Sequence, residues 1–260
     1  MKLFNGTSLS ADLSIFSSYE VFAELLLLLF ADLLFIIGNY LLYHTHVITN
    51  DSFSLFKEFG YPEMFQYWKE ISLAVVFLKV FKKTKDHIFI VWSLFFSYLL
   101  LDDSIKIHER IGEAIANHYI IGSSYIGALR GQDFGELIVS GIVGSLFIIL
   151  FTKYFYKSNQ VVRMINFNLA TLVILLLFFG VFIDFAHMVI PEIKGMQTFE
   201  DGGEMIAMSL LLWYTYNLFK FYPETTISIL PTPMLTFLNS LTNIFQALFT
   251  RAQKKFNVSP

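Results

Sequence analysis

Six apolar stretches divide this chain, near Val21–Tyr43, Phe65–Phe81, His87–Leu101, Leu137–Tyr156, Ile165–Ile190 and Met205–Tyr222. A helix needs about 20 mostly apolar residues to cross the hydrocarbon of a bilayer. The first, fourth, fifth and sixth stretches meet that standard. The second and third are shorter, and only Lys82-Lys83-Thr84-Lys85-Asp86 parts them, which reads as a tight turn between two spanning helices. The third must then run on through Asp102 and Asp103 to reach full length. The pattern predicts an all-α integral membrane protein, a six-transmembrane-helix bundle within residues 1–222. Its helices are expected near 21–43, 65–81, 87–107, 137–156, 165–190 and 204–222. The first stretch is long and holds Asp32, and is read as a retained helix, not a cleaved signal.

Pro231 and Pro233 break the chain after the sixth stretch. Leu235, Leu238, Leu241, Phe245, Leu248 and Phe249 then recur at three- and four-residue spacing ahead of the basic run Arg251–Lys255. Residues 223–260 are therefore expected to form a cytoplasmic tail with an amphipathic helix on the membrane surface. The alternative is a helix packed on a partner subunit.

Composition agrees with the hydropathy pattern. Hydrophobic residues make up 55% of the chain and charged residues 15%, outside the range of an ordinary soluble domain or a disordered one. Thirty phenylalanines and thirteen tyrosines suit a lipid-facing surface with interfacial aromatics. There is no cysteine, which excludes disulfides, thiolate metal sites, iron–sulfur clusters and cysteine nucleophiles. Nothing in the charge pattern points to nucleic acid. Membrane lipid is the expected surrounding, and a homo-oligomer or a membrane partner subunit is left open.

Charge orients the bundle. Twelve of the eighteen basic residues collect at one end of the alternating helices, among them Lys82, Lys83, Lys85, Lys153, Lys157, Arg163 and Lys220. The positive-inside rule makes that end cytoplasmic, with both termini on the same side. The other end collects fifteen of the twenty-one acidic residues and five of the six histidines. The expected location is an inner (cell) membrane, with the chemistry facing the extracytoplasmic side.

Within that acidic end, Leu101–Glu113 is the densest segment. On one continuous helix, Asp102, Lys106, Glu109 and Glu113 would share a face, with His108 and Asp103 to either side. Pairs such as Asp102–Lys106 would lace a solvated extension. In the fifth stretch Asp184 and His187 stand three apart and share a face, a spacing that can ligate a metal or let an Asp orient a histidine. A weak repeat joins these segments: apolar run, Asp, His, outer loop, Asp-x-Gly-Glu, apolar run. It occurs at Asp103, His108 and Asp133–Glu136, and again at Asp184, His187 and Asp201–Glu204. Capping explains Asp133–Glu136. At Asp201–Glu204, where Glu200 and two glycines are added, capping and a ligand site are balanced. Asp32 lies mid-span, and pairing with Lys69 or Lys79 is its expected role. His44 and His46 read as exposed loop residues.

Ionisable groups drawn into a bundle mark functional sites. Asp102, Asp103, His108, Asp184, His187, Glu200, Asp201 and Glu204 are the candidate ligands of a divalent metal such as zinc, manganese or iron. The leading reading is a metal-dependent hydrolase or transferase acting on a lipid or lipid-linked substrate, with Glu109 or Glu204 as general base. A transporter or channel that binds a cation or carries protons is the second reading. A non-catalytic subunit docking a partner through its acidic rim is the third. Metalloprotease, phosphate-loop and serine-hydrolase motifs are absent, as is the Glu-x-x-His spacing of di-iron bundles.

Overall fold

The computed structural model describes residues 19–45, 47–119, 131–189 and 195–222, and among these every regular element is a helix. In chain order they are α1 (Tyr19–His44), α2 (Tyr61–Thr84), α3 (Ile88–Ile105), α4 (Ile107–Tyr119), α5 (Gly131–Phe155), α6 (Gln160–Leu177), α7 (Asp184–Val189) and α8 (Met196–Phe221). A short 3-10 turn at Asp51–Phe53 precedes α2, and a π-helical segment, Phe178–Ile183, joins α6 to α7.

Four helical stretches are long and apolar enough to cross a membrane: Phe22–His44, Ile88–Ile105, Gly131–Phe155 and Gln160–Ala186. Their outward faces are greasy, with Leu27 70% and Ile142 66% exposed, as lipid contact requires. Helices α2 and α8 are as long, at 24 and 26 residues, but carry charge along their length. One face of each turns into the bundle, where Lys69 and Glu70 of α2 are buried. Helix α8 packs on α1, α2, α6 and the π segment, and α2 packs on α3 and α8. The core they enclose includes Leu73, Phe77, Phe89, Trp92, Phe96, Leu169, Met208, Leu211 and Tyr214. Its polar groups are bonded between helices, Trp92 Nε1 to Asn166 Oδ1 at 2.6 Å and Asn168 Nδ2 to the Tyr214 hydroxyl at 2.9 Å.

Contacts at the two ends fix an up-and-down arrangement. At one end Asn39 of α1 donates to Thr198 of α8 (3.4 Å), and the Tyr67 hydroxyl of α2 reaches the Asp103 carbonyl of α3 (3.2 Å). At the other, the Ser158 hydroxyl donates to Asp86 (2.9 Å), Lys83 donates to the Phe219 carbonyl (2.6 Å), and Lys220 faces Glu24. The acidic and basic ends anticipated from sequence are thus the two ends of one bundle.

Local chemistry sets the helix limits. Pro62 opens α2, and the Glu63 carboxylate accepts the backbone N–H of Phe59 just ahead of it. Helix α2 ends with Lys82 and Lys83 at its negative pole and Lys85 in the left-handed region. Asn159 caps α6 by accepting from the Val162 N–H at 2.9 Å.

Three sequence expectations change. Helices α5 and α8 begin at Gly131 and Met196, ahead of the apolar runs at 137 and 204, because their first turns are polar but still helical. Asp201 and Glu204 therefore sit inside α8, where no capping box can form, and Asp133 lies within the first turn of α5 and not before it. The third helix does not continue through 106–116. Lys106 adopts φ 55°, ψ 53°, and α4 starts afresh at Ile107, so Asp102 and Glu109 are not on one straight stripe. The amphipathic segment of 223–260 lies outside the described residues, as does His46.

Candidate functional site

A cavity of about 350 Å³ opens at the acidic end. Helix α2 and the turn before it supply Glu58, Pro62, Glu63, Gln66 and Tyr67; the α3–α4 break supplies Asp102, Asp103, Lys106, His108 and Glu109; α8 supplies Gln197, Asp201, Glu204 and Met205. Five of the eight expected ligands thus line one space: Asp102, Asp103, His108, Asp201 and Glu204.

The break at Lys106 builds the first part of the site. Asp102 Oδ1 accepts the backbone N–H of His108 and Oδ2 accepts its Nδ1–H, both at 2.9 Å. One carboxylate so satisfies an orphan donor at the start of α4 and clamps the imidazole. Hydrogen bonding to Asp102 holds the His108 pKa above its usual value of 6.5. The expected Asp102–Lys106 pair is not made. Lys106 turns to Glu58 and, at 3.6 Å, to Glu109, and the Glu58 carboxylate raises the ammonium's pKa.

The second part lies deeper. Glu70 is fully buried, and neither of its carboxyl oxygens accepts a hydrogen bond from an amide, hydroxyl or ammonium group. The group it faces is the carboxyl of Asp103, with Glu204 also in electrostatic reach. Carboxyls so placed need a proton or a cation between them. Glu204 is set by glycine: a Cβ on Gly180 of the π segment would strike its carboxyl, and a Cβ on Gly203 would strike the Phe179 ring. The Gly202-Gly203 pair lets the π segment and Ile36 of α1 approach α8 closely.

Beside Glu70, Lys69 is fully buried and uses its three N–H donors on Asp32 Oδ1 (3.0 Å), the Met205 carbonyl (2.8 Å) and the Ser209 hydroxyl (3.3 Å), with the Phe65 ring 4.7 Å away. Of the two partners expected for Asp32, Lys69 is the one it takes.

The remaining expected ligands divide. Asp184 and Glu200 do not line the cavity, although Asp184 lies within electrostatic reach of Glu200, Asp201 and Glu204. His187 stands on α7, but its side chain is outside the described residues, so its approach to His108 is not described. Among the described residues no three His, Asp or Glu side chains stand close enough to share one metal ion. His44 stacks on Tyr40 at the exposed end of α1.

A family model matches residues 25–218. The chain belongs to that family, described as Domain of unknown function (DUF8692). The match takes in every residue of the cavity and the Asp32–Lys69 pair. No curated protein and no solved structure matches the chain.

Sequence reasoning passed over Glu70, Glu63 and Gln66. A signal was there: Glu63, Gln66, Tyr67 and Glu70 recur at three- and four-residue spacing and form a polar stripe along one side of the first half of α2.

Proposed function

We propose that this is a six-span inner-membrane protein whose acidic cavity faces the extracytoplasmic side and binds a cation for transfer into the bundle, as in an ion- or proton-coupled transporter. The observation that carries this reading is the buried Lys69–Asp32 pair inside the bundle with Glu70 beside it, next to the cavity-lining Tyr67 and Met205 and facing Asp103. Ionisable groups at that depth are costly and serve ion or proton paths. The π segment beside Glu204 is the kind of helix interruption that accompanies such paths. Lys82, Lys83, Lys85, Lys153, Lys157, Arg163 and Lys220 toward the opposite end support the orientation.

In this scheme Asp201 and Glu204 receive the cation, and Asp103 passes charge to Glu70. Lys69 acts as a tethered counter-ion that the arriving charge competes with for Asp32. Reconstituted vesicles with a pH-sensitive dye inside test it. Wild-type protein should dissipate an imposed proton or cation gradient, and Glu70→Gln should abolish the flux while inserting normally. Vesicles that stay as tight as protein-free ones would overturn the reading.

The second reading, a metal-dependent hydrolase or transferase on a lipid-linked substrate, draws on the Asp102–His108 clamp. Holding Nδ1 leaves Nε2 as the nitrogen for a metal or a proton, with Glu109 or Glu204 as base. Elemental analysis of the purified protein decides between the two: a stoichiometric divalent metal, lost in His108→Gln and in His187→Gln, would favour hydrolysis.

A further inference from the structure

We infer that the cation taken by the acidic cavity is a linear polyamine, a methylene chain carrying two or more ammonium groups. The inference rests on the reading of the cavity as a cation site and names its ligand class.

The charge balance comes first. Seven carboxyls line the cavity against two lysines and one histidine. Lys106 is engaged by Glu58 and Glu109, and His108 by Asp102. Among the described residues no cation pairs with Asp103, Asp201 or Glu204. An independent observation also points to a missing donor. Glu70 is fully buried and faces the Asp103 carboxyl of the cavity wall, with no amide, hydroxyl or ammonium group donating to either oxygen, and it follows Gln66 and Tyr67 by one turn of α2. Gln66 itself lines the cavity with a buried, unpartnered Oε1. Ionised carboxylates and the Gln66 Oε1 only accept, so a cationic ligand that satisfies them must donate repeatedly.

Spacing then selects the kind of cation. A metal ion draws its ligands within roughly 4–5 Å of each other. Here no three acids of the described residues converge in that way. They are spread around a space of about 350 Å³, so a ligand whose charges are also spread matches them better than a point charge. Leu55, Phe56, Tyr67 and Met205 supply apolar and aromatic surface for methylenes between the charges. The bundle already contains one such arrangement in Lys69, an ammonium on a methylene stem held by a carboxylate, a carbonyl and a hydroxyl over a phenyl ring. An ammonium tied to a phosphate, as in an ethanolamine headgroup, would set negative charge against the same acids.

The test is calorimetric titration of the full chain, purified in detergent, with spermidine, putrescine, magnesium chloride and ethanolamine phospholipid at matched ionic strength. Spermidine should bind saturably and tighter than putrescine, with no comparable heat from magnesium or the lipid. Asp201→Asn and Glu204→Gln should each weaken spermidine by about tenfold. Lys57→Gln removes a cation from the wall and should tighten it, a gain that misfolding cannot imitate. Asp51→Asn, outside the cavity, should change nothing. Absent spermidine binding, an equal response to magnesium, tighter binding of the phospholipid, or unchanged affinity in both acid variants would overturn the inference. Spermidine binding in a protein that passes no ions would leave this inference standing and remove the transport reading. Ion flux without spermidine binding would do the reverse.

Discussion

Asp102 shows how one carboxylate can decide local structure and local chemistry together. It bonds both the backbone and the ring of His108, and that double bond is available only because the chain turns sharply at Lys106. A left-handed lysine is unfavourable by roughly 1–2 kcal/mol, so the capping and ion pairs around it must offset that cost. His108 has a raised pKa, so the folded protein holds the proton more tightly than the unfolded chain. The pair therefore adds stability that is fully present below 6.5 and is lost as pH rises through the raised value. In Asp102→Asn, the His108 ring signal in an NMR titration should move back toward 6.5, and the stability gained on acidification should shrink. An unmoved titration would show that Asp102 is not the cause. Lys69 poses a sharper case because its charge is fully buried. Lys69→Met alone leaves Asp32 unpaired in the bundle and should destabilise by about 3–5 kcal/mol. Adding Asp32→Asn should recover most of the loss, and a double variant as unstable as the single would refute the pairing.

At the scale of elements, glycine sets the crossings. A Cβ on Gly135 of α5 would collide with the backbone carbonyl of Gly112 of α4, whereas one on Gly141 of the same helix meets nothing within 4 Å. Gly135→Ala should therefore cost about 1–3 kcal/mol and displace α4 from its place beside the cavity. Gly141→Ala should be neutral or stabilise by up to about 1 kcal/mol. Melting midpoints of the two variants, measured side by side, check this; equal shifts would mean that the crossing yields. The apolar cores of the long helices were legible because lipid and the bundle interior both demand unbroken greasy runs. Their ends were not, since polar first turns such as Gly131–Glu136 and Met196–Gly203 satisfy helical geometry without an apolar signal. The break at Lys106 was illegible for a different reason. Lysine favours helix by propensity, and the break is held by the Asp102–His108 clamp around it and by Glu58, 48 residues away in the chain. Asp103, Asp201 and Glu204 stood out through the repeated Asp, His and Asp-x-Gly-Glu pattern at the ends of apolar runs. Glu70 did not, because it follows Glu63, Gln66 and Lys69 in a stretch whose start is already polar.

For the whole molecule, the separation of charge between the two ends carries a claim about sidedness. Lys82, Lys83, Lys153, Lys157 and Lys220 lie at the end away from the cavity, and short lysine-rich turns stay in the cytoplasm during insertion. The cavity would then face the outside with its excess of carboxylates, where the surface draws cations toward it. The chain contains no cysteine, so a single introduced thiol reports without background. Asp51→Cys and Lys57→Cys lie on the exposed connection between α1 and α2 and should react with a membrane-impermeant maleimide on intact cells. Lys85→Cys and Lys157→Cys, in the turns of the opposite end, should react only after the membrane is broken. Both sets are exposed or in turns, so a failure to react reports the membrane and not burial. Labelling of Lys85→Cys from outside, with Asp51→Cys protected, would invert the molecule. The cavity would then open to the cytoplasm, and the cation it binds would have to come from within the cell.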